Sequence, residues 1–245
     1  MALTLLPLNA AAQRLLTDLD AVLAKYIEAN GGQKEMDAVQ SLRVIGKYTM
    51  EGKTFDLNIL KRRPDLKVVS YAQEGVTITI GYDGQRVWRQ IDSPQGRRVE
   101  PMEGPEAQEF IGGIDFDGPL VGKPGVGETR KLLEPERIGR VDYYRIELTK
   151  ADGKRIVYYI DSRTMREAKN LEYTTSATGE ETVKENFLSD YAQYDGIWLA
   201  RKIEAVSDGE RQSLLEVSNV QINPGIIRSY FSMPSPAVRK PASAK

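Results

Sequence analysis

Two periodicities divide this chain. Across residues 13–29, Leu15, Leu16, Leu19, Val22, Leu23, Tyr26 and Ile27 recur at three- and four-residue spacings. That interval lines one face of an α-helix with apolar side chains. Asn30-Gly31-Gly32 stops the helix, and a short second helical turn spans residues 33–39. From Leu42 the period falls to two. Residues 42–50, 54–61, 66–72 and 76–82 alternate as strands do. Glu51-Gly52, Glu74-Gly75 and Asp83-Gly84 separate them as tight turns, the last the strongest because both residues tolerate positive φ. Successive hairpins imply an antiparallel meander rather than a βαβ sheet.

Residues 91–127 interrupt this pattern. Ser93-Pro94-Gln95-Gly96 reads as a turn, and residues 103–111 as a short helix with an acidic first turn, ended by Gly112-Gly113. Residues 114–127 are apolar and glycine-rich, with Ile114, Phe116, Leu120 and Val121. Such a segment suits a flap over the sheet or an ordinary crossover packed on it. Alternation then returns in residues 130–138, 141–148, 155–160, 167–174, 183–188, 198–207 and 213–222. Strands in this number need two packed sheets, a barrel or one curled sheet. The leucine stripe of the first helix is buried most economically on a concave face.

Composition narrows the function. The 245 residues contain no histidine and no cysteine. The commonest general base, the commonest metal ligands, the thiol nucleophile and disulfides are therefore all missing. Basic and acidic residues number 34 and 35, so no global positive field favours nucleic acid. Residues 1–12 place an apolar stretch before small residues, like the back half of a secretory signal without its basic start. That stretch is too short to span a bilayer.

Candidate chemistry is sparse. Asp115 and Asp117, near Glu103 and Glu106, form a carboxylate group of the kind glycosidases use, but a solvated acidic loop explains them more simply. Ser41, Ser70 and Thr77 have no histidine partner. Gly122-Lys123-Pro124-Gly125-Val126-Gly127 lacks the spacing and the Lys-Ser/Thr end of a phosphate loop. The aromatic residues say more. Tyr143-Tyr144 and Tyr158-Tyr159 sit in strands, where adjacent side chains face opposite ways. Both faces of the sheet are then partly apolar, as in a lined cavity or a plain sandwich.

Several segments together resemble the periplasmic lipoprotein-carrier (LolA/LolB-like) superfamily. They are Tyr26-Ile27-Glu28-Ala29-Asn30-Gly31-Gly32, then Val39-Gln40-Ser41-Leu42 with Gly46, Lys61-Arg62-Arg63-Pro64-Asp65-Leu66 and Asp83-Gly84-Gln85-Arg86-Val87-Trp88. Tyr194-Asp195-Gly196-Ile197-Trp198-Leu199 and Phe231-Ser232-Met233-Pro234 complete the set. Each motif is weak alone; their order and spacing carry the resemblance. It implies a mainly β fold with some helix. A strongly curved antiparallel half-barrel of about eleven strands would enclose a hydrophobic cavity, closed by the N-terminal helix and a short lid. It also implies that Arg63, matching the arginine before proline in the carriers, holds the lid closed. The chain departs from the carriers in three places. Residues 128–190 hold more sheet, Ala200 stands where a proline is common, and residues 103–121 do not match the carrier lid.

The expected organisation is a signal-like segment (1–12), one domain (13–233) and a flexible tail (234–245). The expected function is non-catalytic binding or transport of a lipid, a lipoprotein acyl chain or another hydrophobic ligand, in the periplasm after export. No cofactor or metal is expected. A membrane-associated donor or acceptor protein is the implied partner, and the chain itself spans no membrane. Expected ligand-binding residues are Arg63, Ile78, Trp88, Phe110, Ile114, Phe116, Leu120, Tyr144 and Tyr159. The competing reading is a structural or protein-interaction module whose cavity is filled by side chains.

Overall fold

The computed structural model describes residues 15–175 and 179–235. The signal-like segment and residues 236–245 of the tail lie outside them. Two helices open the chain, α1 (Leu19–Ala29) and α2 (Gln33–Ala38). A meander follows: β1 (Ser41–Met50), β2 (Lys53–Arg62), β3 (Leu66–Gln73), β4 (Val76–Tyr82), β5 (Val87–Ser93) and β6 (Gly96–Met102). A connection containing α3 (Pro105–Gly112) leads to a second meander. Its strands are β7 (Thr129–Ile138), β8 (Val141–Thr149), β9 (Arg155–Asp161), β10 (Glu167–Thr175), β11 (Glu181–Tyr194), β12 (Ile197–Ser207) and β13 (Glu210–Ile222).

All described strands form one curved antiparallel sheet, ordered β6-β5-β4-β3-β2-β1-β13-β12-β11-β10-β9-β8-β7. The two meanders join at the centre, where β1 pairs with β13. Their free edges are β6 and β7, so the sheet does not close. The connection between them therefore passes from one edge of the sheet to the other. This topology makes the segment after β6 a cover for the inner face, the face that also carries α1 and α2.

α1 begins at Leu19 rather than at residue 13. Asp18 caps it, its carboxylate accepting from Ala21 N at 2.8 Å. Leu15 and Leu16 precede the helix and still pack on the same core. Val22, fully buried, meets Tyr144, Ile146, Leu148, Tyr158 and Ile160 from β8 and β9. Asn30 fixes the helix end: its amide donates to Tyr26 O and Met165 O, and its carbonyl accepts from Trp198 N. The chain turns there against the β11–β12 hairpin, and a Cβ on Gly31 would lie 2.8 Å from Gly196 O. Only glycine fits this approach.

The opposite, outer face has its own core. Leu66, Val68 and Trp88 pack under the C-terminal segment, on Ile226 and Phe231. The Trp88 indole donates to Phe231 O at 2.8 Å. It lies over Gly81, where an added Cβ would come within 2.2 Å of the ring.

The sheet has two strands more than the expected eleven, because β5 and β6 continue the meander through residues 87–102. β6 carries little alternation. It is an edge strand, blunted by Arg97, Arg98, Glu100 and Pro101, and needs no apolar outer row. The Asp83-Gly84 turn also differs from expectation. Only Gly84 has positive φ; Asp83 instead accepts from the Gln85 and Arg86 amides in a four-residue loop.

Candidate functional site

On the inner face, β1, β2, β12 and β13 form the floor of a pocket of about 370 Å³. Leu42, Val44, Ile59, Leu199, Ile203 and Val217 line it, with Met36 and Val39 beside α2 and Phe116 from the connection. The register explains the grouping. Leu42 and Val44 lie opposite Lys61 and Ile59, and opposite Ile222 and Val220, so one pleat face carries them all. The pocket is partly open to solvent rather than sealed.

Basic side chains of the sheet fasten the connection over this pocket. Arg63 grips both oxygens of Asp117 at 2.5 Å. The same guanidinium donates to Val39 O at 2.7 Å and Met36 O at 2.9 Å, tying α2 to the connection. It also lies 4.4 Å from the Phe116 ring centre. Its hydrogen bond with Asp117 holds the Arg63 pKa above the ordinary value. Lys61 donates to Asp115 O, and Lys67 to Gly113 O at 3.0 Å. Burial lowers Lys61 to about 8, with Lys67 adding to the effect. From the other half of the sheet, Lys150 reaches Gly112 O and Arg130 reaches Gly122 O.

A row of polar side chains runs along the inner face at the side of the pocket nearest β10. Lys154 donates to Glu172 (2.8 Å), Asn186 to Glu172 (3.0 Å) and to Asn170 (2.8 Å), and Asn170 to Glu167 (2.7 Å). The two glutamates differ in their cation. Burial raises Glu172, but the bonds from Lys154 outweigh it and hold the carboxyl below its usual value. Glu167 has no such lysine, and burial pushes it up to about 7. Tyr26, Tyr158 and Tyr191 surround it. Burial first, and the Glu167 charge second, drive all three phenols above their ordinary range.

The structure distributes the sequence-derived residues over three places. Phe116 lines the pocket and Arg63 clasps the segment that carries it. Phe110 lies under Lys67 at 4.8 Å, and Ile114 follows on the same covering segment. Leu120 and Tyr144 belong to the α1 core, where Tyr144 OH accepts from Leu16 N. Ile78 is on the inner face of β4, away from the pocket and partly exposed. Trp88 is in the outer core, on the other side of the sheet. Tyr159 also faces outward, its hydroxyl donating to Glu136, and it is Tyr158 that meets α1. Glu167, Tyr26, Tyr191 and the β12–β13 lining were not among the expected residues. Tyr26 showed only as part of the helical stripe of α1, and the others only as ordinary strand residues. Asp115 and Asp117, the candidate carboxylates, serve the cover: Asp117 is spent on Arg63, and Asp115 accepts the Asp117 amide.

This architecture is the LolA-like fold. An outer membrane lipoprotein-sorting protein domain from Vibrio parahaemolyticus superposes with a TM-score of 0.61 at 14% identity, covering 87% of this chain and 95% of that one. A DUF1329 family protein from Desulfovibrio piger gives 0.61 at 16%, over 87% and 97%. A LolA superfamily protein from Nitrosomonas europaea gives 0.56 at 16%, over 86% and 96%. A family model described as "-like: Uncharacterized protein" matches residues 97–235, more than half of the sequence, and the chain belongs to that family. No curated protein matches it in sequence. Among the described residues no helix is long and apolar enough to cross a membrane.

Proposed function

We propose that this protein is a non-catalytic carrier that holds the apolar chain of a lipid, lipoprotein or similar amphiphile in the inner-face pocket. The observation that carries the reading is the pocket itself: about 370 Å³, walled by aliphatic side chains and roofed by Phe116. That size falls within the range of small-molecule sites, and a few polar groups among apolar walls is their usual make-up. The Arg63–Asp117 clasp supports a cover that opens for loading. Phe110, Ile114, Phe116 and Leu120 ride on that cover, and of these Phe116 is the ligand contact. The name of the Vibrio neighbour supports a periplasmic setting, with a membrane-associated donor or acceptor, and residues 1–12 are then an export signal.

The test is native mass spectrometry of the protein purified from its own cells, with organic extraction of what it holds. A stoichiometric acyl species is expected. An empty protein that also fails to take up the uncharged fluorophore N-phenyl-1-naphthylamine would overturn the reading and leave a protein-interaction module in its place.

A further inference from the structure

The inner face has a breach beside the pocket. β10 and β11 pair only as far as Lys169↔Phe187, yet β11 runs on to Tyr194. Past that point the strands separate, and Tyr191 bridges the gap by donating to Glu167 O at 2.8 Å. The opening forms a second pocket of about 360 Å³, lined by Asp161, Thr164, Arg166, Glu167, Tyr191 and Trp198. Glu167, Tyr191 and Trp198 line the first pocket as well, so the two meet at these residues.

Two groups at this junction have hydrogen-bonding capacity to spare. Oε1 of Glu167 accepts from Asn170, while Oε2 has no hydrogen-bond partner among the described residues. Nε of Arg166 is buried without an acceptor. The buried Nε left this way is costly unless a ligand or water completes it. The guanidinium thus offers a donor at the mouth of an apolar pocket, and the carboxyl offers a donor while protonated and an acceptor once ionised.

We propose that the seam between β10 and β11 holds the head group of the bound amphiphile, and that this head group is uncharged and hydroxyl-bearing. Its hydroxyls accept from the neutral Glu167 carboxyl or donate to the carboxylate, and accept from Arg166 Nε, and its chain lies in the inner-face pocket. The inference rests on the carrier reading above. A cationic head group is disfavoured because Arg166 already stacks on Trp198, 3.9 Å from the ring centre, and lies 5.9 Å from Tyr191. An anionic head group would meet Glu167 once that carboxyl ionises. Tyr26 of α1, Tyr158 of β9 and Tyr191 of β11 face Glu167, as does Asn170 of its own strand. None of these is a cation. Arg166 is the neighbouring cation, and Asp161, which lines the seam, is paired with Arg163; Lys61 and Asp117 lie elsewhere on the wall, and Lys61 is spent on the cover.

The test is isothermal titration calorimetry of the full chain with 1-monolauroylglycerol, laurate and dodecylammonium, each below its micellar concentration. Wild type and Glu167→Gln are compared at about pH 6 and about pH 8.5, on either side of the Glu167 transition. The glyceride is expected to bind wild type with similar affinity at both values. Laurate is expected to weaken by about tenfold or more at the higher pH, and Glu167→Gln to remove most of that loss, leaving the smaller part due to Lys61, which lines the pocket and loses its charge over the same range. Laurate or dodecylammonium binding more tightly than the glyceride at the higher pH would overturn the inference. So would a laurate profile that Glu167→Gln leaves unchanged. Binding of all three probes without discrimination sinks this inference alone. Failure of all three to bind, in a protein that is also empty as purified, sinks the carrier reading and this inference with it.

Discussion

Glu167 gives the sharpest prediction, because its effect on stability needs no ligand. Its folded value of about 7 stands well above the ordinary 4.5. The folded chain therefore holds this proton through a pH range in which the unfolded chain has released it. Stability linked to the group is complete below about pH 4.5, falls as pH rises, and is lost once pH passes about 7. The gap corresponds to roughly 3 kcal/mol, and solvent reaching the pocket screens this to about 2 kcal/mol. Glu167→Gln keeps an oxygen for the Asn170 amide and has no charge to bury. The chain has no histidine, and Lys61, at about 8, titrates mostly above the window. Urea unfolding at about pH 5 and about pH 7.5 should show wild type losing about 1–1.5 kcal/mol relative to the variant, the rest having been lost below about pH 5. Parallel stability profiles for the two proteins would refute the burial argument.

Four further outcomes rest on the packing. Gly81→Ala forces a methyl group into the Trp88 ring and should cost about 1–3 kcal/mol, with a shift in tryptophan fluorescence as the outer core loosens; an unchanged melt and spectrum would contradict it. Leu120→Ala should cost about 2–5 kcal/mol, since Leu120 is 2% exposed in the α1 core. Phe116→Ala should instead weaken uptake of N-phenyl-1-naphthylamine more than it weakens the fold. Equal effects of the two on binding and on melting would undo this division of roles. Arg63→Lys keeps the charge but loses the fork that joins Asp117 to Met36 O and Val39 O. Hydrogen exchange across residues 115–121 should then accelerate while the β8–β9 amides stay protected; unchanged exchange would show that the clasp does not hold the cover.

Much of this protein was determined by sequence alone. The switch from a period near 3.6 to a period of two placed α1 ahead of a long antiparallel meander. The absence of histidine and cysteine removed most catalytic chemistry. The Arg63-Pro64 segment, with its neighbouring motifs, pointed to the LolA-like fold and to a clasp on a covering segment. These features are local: each is written in the spacing or identity of nearby residues. β6 was not legible, because an edge strand needs charge rather than alternation. Tertiary structure decided which face each strand turns inward, since a shift of one residue exchanges the two faces. It turned Tyr158 rather than Tyr159 toward α1 and sent Trp88 to the outer core. It also assembled the pocket from the β1–β2 and β12–β13 hairpins, which lie more than 130 positions apart in sequence. The Glu167 junction came from the same source. A glutamate in a strand looks like any other until the topology withholds a lysine from it, surrounds it with three tyrosines and ends the β10–β11 pairing at its side. Charge burial is a property of everything that packs around a group, and the chain brings those neighbours from four separate elements.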